Sequence, residues 1–286
     1  MNGKNITTKW SYVWICSILF CSATLLHLAH GDEEEAQPEA AVAEAIAEPP
    51  PEPKFKPVPP LKEPWVRLGK GKDKVWINQK TKQVAVDGEV SLTKGYLEMF
   101  ACILGTKEHE SVVALHSKAF VIHTALLAIG AEPGTPANWR PKYEPAKGPV
   151  IKVEVEWYDE KNKLKRTKGQ QWVRDLKTKK AVDQDWVFAG SLFYVDSETQ
   201  KRYYRAEGGE IICVSNFPVS MMDLPIESSQ ANDDLAFEAF TENIPRRRTP
   251  VRMYLTPQVK AKKNQPPQEK LGAGGTPKKT TLPDAI

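Results

Sequence analysis

Several short segments between residues 65 and 258 alternate apolar and polar side chains with a period of two residues. The clearest is 151–157, Ile-Lys-Val-Glu-Val-Glu-Trp, in which apolar and charged residues separate at every position. Because successive side chains of a strand point to opposite faces, this pattern predicts a strand with one buried face. A charged turn at 159–163 leads into a second predicted strand that reaches Trp172. Further strands are predicted at 75–78, 83–86, 186–195, 202–206, 210–215 and 251–255, with turns at Asp87-Gly88 and Gly208-Gly209.

Helical patterns are few. Residues 117–130 combine a possible cap at Ser117, an apolar stripe and a closing Gly130, which together predict one helix. A shorter helix is predicted at 231–240. Many strands with one or two helices favour an α+β fold built on a mainly antiparallel sheet. The strands do not alternate regularly with helices, which argues against a doubly wound parallel sheet.

The first 31 residues have the pattern of a secretory signal. Lys4 and Lys9 precede an uncharged run at 10–29, and Ala29-His30-Gly31 provides the small residues of a cleavage site. We therefore expect cleavage after Gly31, a periplasmic or extracellular location and no membrane span in the mature chain. The alternative is an uncleaved anchor, because a run of about 20 uncharged residues could just cross a bilayer.

Charge and composition divide the rest of the chain into three parts. Residues 32–64 are rich in Ala, Glu and Pro and carry a net charge of −6, which predicts a disordered acidic spacer. Residues 65–258 have a net charge of +4 and contain the apolar residues of a single domain. Residues 259–286 also have a net charge of +4 and predict a disordered basic tail. The near balance of charge in the mature chain gives no specific nucleic-acid signal.

Two cysteines remain after the signal, Cys102 and Cys213, each within an apolar stretch. They could be two buried thiols, since free cysteine packs as a small apolar residue. They could also form a disulfide, because an exported protein meets oxidising conditions. The sequence leaves both possibilities open.

The histidines of the mature chain lie close together in sequence, at His109, His116 and His123. Together with Glu110, His109 and His123 are the candidate metal ligands, since imidazole and carboxylate groups bind zinc and related metals. Their spacing matches no zinc motif, however, and His123 lies at the edge of the helix stripe, where a packed histidine is the simpler interpretation. We expect no cofactor.

For two other segments, a functional interpretation can be compared with a purely structural one. Gly190-Ser191 lacks the glycines of a hydrolase nucleophile turn, so we interpret it as a glycine bulge within a strand. The run Arg246-Arg247-Arg248 could bind phosphates, but it is also typical of a solvated segment that opens an edge strand.

Five segments together resemble a known family, the YdjY-domain proteins. They are Tyr-Leu-Glu-Met-Phe-Ala-Cys at 96–102, Thr-Lys-Glu-His-Glu-Ser at 106–111, the helix with its Gly-Ala-Glu-Pro-Gly end at 122–134, Trp-Val-Phe-Ala-Gly-Ser at 186–191, and Ile-Cys-Val-Ser-Asn-Phe-Pro at 212–218. The resemblance implies an exported bacterial protein of a kind abundant in planctomycetes, and it implies no particular activity. An iron–sulfur role attached to some relatives would need a set of cysteines that this sequence lacks.

Two functional hypotheses follow. The first is a non-catalytic envelope module that binds a protein or a polymer. The second is a metal-dependent hydrolase in which His109 and His123 are ligands and Glu110 is the general base.

Overall fold

The computed structural model describes residues 55–229 and 234–258. The predicted signal at 1–31, the spacer up to residue 54, residues 231–233 of the second predicted helix and the tail at 259–286 lie outside the described residues. The strands are β1 (Val66–Leu68), β2 (Val75–Asn78), β3 (Gln83–Val90), β4 (Met99–Ile103), β5 (Ser111–Leu115), β6 (Val150–Tyr158), β7 (Leu164–Lys168), β8 (Val173–Asp175), β9 (Trp186–Phe188), β10 (Phe193–Val195), β11 (Arg202–Tyr204), β12 (Ile212–Cys213), β13 (Met222–Asp223), β14 (Phe237–Ala239) and β15 (Pro250–Pro257). Helix α1 spans Ala119–Ala128, and short 3-10 turns span Glu108–Glu110, Gly169–Trp172 and Arg205–Gly208.

Eight of these strands form a closed barrel in the order β3-β15-β6-β9-β13-β12-β4-β5, and β5 pairs again with β3. Neighbours are antiparallel except for β4 with β5 and β12 with β13, which are parallel. Strands β1 and β2 extend the sheet beyond β3, and β7 pairs with β6. The prediction of an α+β fold built on a mainly antiparallel sheet is therefore wrong, because the strands close into a barrel. The described part of the chain is mostly β and contains one α-helix.

The barrel closes at Gly88, in the middle of β3, where the sequence predicted a turn. Gly88 pairs with Val251 of β15 on one side and Leu115 of β5 on the other. A Cβ atom on Gly88 would lie 2.4 Å from the carbonyl oxygen of Ala114. Asp87-Gly88 is thus a place where two backbones approach closely, which a missing side chain permits. The carboxylate of Asp87 accepts a 2.6 Å hydrogen bond from the buried Arg252 of β15.

The barrel interior is apolar and continuous with the inner face of α1. Trp186 and Phe100 stack inside it with ring centroids 5.1 Å apart, and Ile122 and Leu126 of α1 belong to the same buried cluster. The alternating residues of β6 supply Ile151, Val153 and Val155, so the inward face that the pattern predicted is confirmed.

The predicted helix at 117–130 is confirmed as α1, but its N-terminal cap differs from the prediction. The backbone N–H of Lys118 donates to the Asp73 carboxylate, and those of Ala119 and Phe120 donate to Glu207. Acidic groups from distant segments therefore satisfy the free N–H groups that every helix start exposes. At the other end Gly130, with φ +94, closes the helix as predicted.

Other local predictions fail where tertiary pairing decides the structure. The predicted helix at 231–240 is wrong, because Phe237–Ala239 forms β14 and pairs with β8. The predicted strand at 186–195 is broken at Gly190 and Ser191, which both have positive φ. Strand β15, which follows the arginine run, is not an edge strand, since β3 and β6 flank it. Within that run, the Arg246 side chain pairs with Glu160 at 2.8 Å.

Residues 55–64, grouped with the spacer by composition, contact the barrel. The Lys56 ammonium lies 3.8 Å from the centre of the Tyr158 ring, and Arg252 donates a hydrogen bond to the carbonyl of Pro59. Cys102 and Cys213 are free, fully buried thiols. Within 55–229 and 234–258, no helix has the length and apolar character needed to cross a membrane.

Candidate functional site

The structure separates the histidines that the sequence grouped. His109 lies in the turn before β5 with its side chain 76% exposed, 3.7 Å from the Glu110 carboxylate. His116 follows β5 and lies 3.3 Å from both Glu89 and the Lys74 ammonium. Among the described residues, no three His, Cys, Asp or Glu side chains come together in a way that could hold a metal ion. The predicted ligands His109, Glu110 and His123 therefore do not form a common centre.

His123 is instead part of a buried chain of hydrogen bonds. Its Nδ1 lies 2.8 Å from the Tyr204 hydroxyl, which donates at 3.0 Å to the carbonyl of Gly190. Burial lowers the pKa of His123, which favours the neutral imidazole. This is the packed histidine that the helix pattern indicated. The bond to Tyr204 links α1 to the β9–β10 connection and to β11.

Glu110 belongs to a different group, a lysine surrounded by carboxylates. The Lys107 ammonium lies 3.2 Å from Glu110, 3.4 Å from Glu210 and 3.9 Å from Glu98. Burial, reinforced by the Glu110 carboxylate, raises the pKa of Glu98 to about 7. The second carboxylate oxygen of Glu210 is buried without a hydrogen-bond partner among the described residues. Because three carboxyl groups surround a single ammonium group, one of the carboxyl groups tends to keep its proton. The cluster, through Glu98, can therefore gain or lose a proton near neutral pH.

A second buried acid, Asp223 of β13, lies in a dense polar network. One carboxylate oxygen accepts hydrogen bonds from the Asn216 amide and the backbone of Leu224, and the other lies 3.0 Å from the Ser220 hydroxyl. The side-chain amide oxygen of Asn216, Oδ1, accepts a hydrogen bond from the Tyr143 hydroxyl at 3.1 Å. Burial raises the pKa of Asp223 to about 7. These bonds tie the 216–228 connection together, which is a structural role for the network.

The most unusual surface is a group of exposed aromatic side chains beside the N-terminal end of α1. We call it the aromatic surface and define it by Phe120 of α1, Phe193 of β10 and Tyr203 of β11, which line the same cleft. All three residues are between 39% and 49% exposed. Phe193 lies edge-on to Phe120 at 6.3 Å, and the Arg202 guanidinium lies 3.7 Å from the centre of its ring.

Strands β10 and β11 form a separate two-stranded hairpin outside the barrel sheet. The side chain of Tyr204 anchors this hairpin by pointing inward, where it is buried and bonded to His123 and Gly190. A cleft of about 600 Å³ lies beside the rings, and Lys118, Arg202 and Glu207 are among its lining residues. Apolar rings are thus held in place at an open cleft with charged groups around them.

Comparison with known protein families gives one match. Residues 75–256 match the YdjY domain. The chain belongs to the YdjY domain family. The matched region starts at the first residue of β2 and includes all but the last residue of β15, so the YdjY domain here contains every strand of the closed barrel. No curated protein and no solved structure matches the chain.

The segments that carried the resemblance have clear places in this YdjY domain. Residues 96–102 lead into β4, 106–111 contain Lys107 and Glu110, and 122–134 contain most of α1. Residues 186–191 form β9 and the break at Gly190, whereas 212–218 form β12 and lead to Asn216.

Sequence reasoning missed the aromatic surface. Phe193 and Tyr203 fall within predicted strands, where aromatic residues are ordinary core candidates. The available signal was the clustering of these residues on both sides of the polar turn at 196–201. Nothing in that pattern shows that the hairpin lies outside the barrel, which leaves its aromatic residues uncovered.

Proposed function

We propose that this protein is an exported, non-catalytic module that binds a glycan chain of the cell envelope through the aromatic surface. The observation that carries the proposal is the set of half-exposed aromatic residues Phe120, Phe193 and Tyr203 at an open cleft. Large exposed apolar side chains grouped in one place are typical of interaction sites. The signal pattern of residues 1–31 supports export.

A glycan fits the chemistry of this surface. The face of an aromatic ring carries partial negative charge and attracts the C–H groups on the flat side of a β-linked sugar ring. Arg202, Lys118 and Glu207 offer charged hydrogen-bonding groups around the rings for sugar hydroxyl groups. A volume of about 600 Å³ is within the range of small-ligand pockets.

A non-catalytic role is supported by the partners of the chemically active side chains, which are bound to other groups of the domain. His123 is bonded to Tyr204 inside the fold, and Asp223 is buried in the network that holds the 216–228 connection. Glu98, Glu110 and Glu210 surround Lys107. Each group has a partner whose loss would disturb the packing of the domain.

Sedimentation with insoluble glycans tests the proposal. The mature chain from Asp32 is mixed with purified peptidoglycan sacculi, chitin or cellulose, and the bound fraction is measured after washing. We expect one of these β-1,4-linked polymers to retain the protein and Phe193→Ala with Tyr203→Ala to abolish retention. The matched control is Tyr96→Ala, which removes an aromatic side chain that is 60% exposed but lies outside the aromatic surface.

Two results would contradict the proposal. Retention that survives the double substitution would place glycan binding elsewhere on the protein. If none of the three polymers retained the protein, glycan binding would be contradicted, and the aromatic surface would instead be interpreted as an interface for a protein.

A further inference from the structure

A second cleft, of about 720 Å³, lies on the other side of Lys118. We call it the lysine cleft. Its rim carries the side chains of Lys70, Lys72, Lys74 and Lys118, and its accessible apolar floor is formed by Ile103 and Leu104, with the fully buried Leu115 as a further lining residue. Asp73, His116 and Ser117 complete the lining. Apolar floor and cationic rim together form an amphipathic site.

The floor is fixed by the barrel. The backbone N–H of Leu104 donates to the carbonyl of Leu115 at 3.1 Å, which continues the pairing of β4 with β5 by one residue. Ile103 packs against the core, whereas the Leu104 side chain is 49% exposed. A leucine held in this position exposes apolar surface that a ligand could remove from water.

The rim has an excess of positive charge. Lys70, Lys72 and Lys118 form no ion pair with another described residue, and the Lys74 ammonium lies 3.3 Å from His116 Nδ1. Asp73 is the acidic residue of the lining, and its carboxylate already accepts hydrogen bonds from the Lys118 backbone and the Ser117 hydroxyl. The lysines therefore remain available for an anionic group.

The wall formed by residues 69–74 is held in its shape by hydrogen bonds. The Arg67 guanidinium donates to the carbonyls of Gly71 and Asp73 at 2.9 and 3.1 Å. The backbone N–H of Lys74 donates to the carbonyl of His116 at 2.8 Å. The cleft is thus organised before a ligand arrives, which lowers the entropy cost of binding.

We propose that the lysine cleft binds a single-chain anionic amphiphile, a long-chain carboxylate, with its hydrocarbon chain on Ile103 and Leu104 and its carboxylate among the four lysines. Charge complementarity selects an anion, and the apolar floor selects a chain rather than a small ion. This site uses residues outside the aromatic surface, so the inference stands independently of glycan binding.

Calorimetric titration of the mature chain with sodium dodecanoate, kept below the concentration at which micelles form, tests the inference. We expect saturable binding at one site per chain. Leu104→Glu places a negative charge on the floor, and Lys70→Glu with Lys72→Glu reverses two charges of the rim. Each variant should weaken binding by at least about tenfold. A thermal melt of each variant checks that the fold is retained.

The controls separate the two halves of the site. Acetate has the carboxylate without the chain, and dodecyltrimethylammonium has the chain with the opposite charge. Neither compound should bind as tightly as dodecanoate. Lys161 and Lys179 are exposed lysines outside the cleft, so Lys161→Glu with Lys179→Glu should leave dodecanoate binding unchanged. Comparable binding of acetate or of dodecyltrimethylammonium would overturn the inference. So would full dodecanoate affinity in folded Leu104→Glu protein, or the absence of saturable binding. Phe193→Ala with Tyr203→Ala should keep dodecanoate binding, which distinguishes this site from the aromatic surface.

Discussion

At the scale of single residues, the geometry around Asp223 shows which protonation state the fold prefers. The Ser220 hydroxyl has one proton, yet its oxygen lies 2.9 Å from the carbonyl of Phe217 and 3.0 Å from the Asp223 carboxyl group. Both contacts become hydrogen bonds when Asp223 is protonated, because its O–H then donates to Ser220 while Ser220 donates to Phe217. This agrees with burial raising the pKa of Asp223 to about 7.

We therefore expect the free energy of unfolding to fall as pH rises from about 4 to about 7. A carboxyl group whose pKa is raised in the folded state binds a proton that the unfolded chain has released in this window. Asp223→Asn places an amide donor where the protonated oxygen lies. It should remove on the order of 3 kcal/mol of this pH dependence. Urea unfolding at pH 5 and pH 8 measures the difference.

Glu98 provides an independent comparison, because its pKa is also raised to about 7. Glu98→Gln should reduce the dependence separately, and the double variant should show the flattest profile. An Asp223→Asn protein that keeps the full wild-type slope would show that Asp223 is ionised in the folded state.

At the scale of elements, local patterns predicted what local interactions determine. The alternation in β6 and the Gly130 end of α1 depend on neighbouring residues, and both are confirmed. The N-terminal cap of α1 depends on Glu207, which is distant in sequence, and the strand identity of Phe237–Ala239 depends on pairing with β8. Such long-range partners leave no periodic signal in a single sequence.

The cap of α1 gives a prediction at this scale. The Glu207 carboxylate accepts from two free N–H groups at the positive end of the helix dipole. Glu207→Ala should lower the free energy of unfolding by about 1 kcal/mol, with part of the loss screened by salt. Glu198→Ala removes an exposed acid in the turn between β10 and β11 and should change stability by less than about 0.5 kcal/mol. Equal effects of the two substitutions in thermal melts would refute the cap.

The closure of the barrel gives another stability prediction. Gly88→Ala would place a methyl group 2.4 Å from the Ala114 carbonyl oxygen and should push β5 away from β3. We expect a loss of about 1–3 kcal/mol or more. Gly71→Ala is the control, because Gly71 has φ +60 and open space around it. Its cost, about 1 kcal/mol, reflects backbone conformation alone. A Gly88→Ala protein no less stable than Gly71→Ala in urea would contradict the closure of β3 on β5.

At the scale of the whole molecule, the described residues of this YdjY domain form a closed barrel with one α-helix and two separate two-stranded sheets, β10–β11 and β8–β14, outside the barrel sheet. The family and some of the strands were accessible from the sequence, because they depend on ordered motifs and alternation, but β4 and β5, where the barrel closes, were not predicted. The closure and the aromatic surface were not, because both depend on which strands meet in space. Phe193 and Tyr203 are exposed only because β10 and β11 pair with each other and not with the barrel.

The most direct test of the account is to map where a glycan binds. In an NMR titration of ¹⁵N-labelled protein with a soluble oligosaccharide of the β-1,4-linked polymer that retains it, such as chitohexaose for chitin or cellohexaose for cellulose, we expect amide shifts at 118–121, 192–195 and 202–205. These shifts should disappear in the Phe193→Ala, Tyr203→Ala protein. Shifts centred instead on Lys107, Glu98 and Glu210, or no saturable shifts at all, would contradict the account.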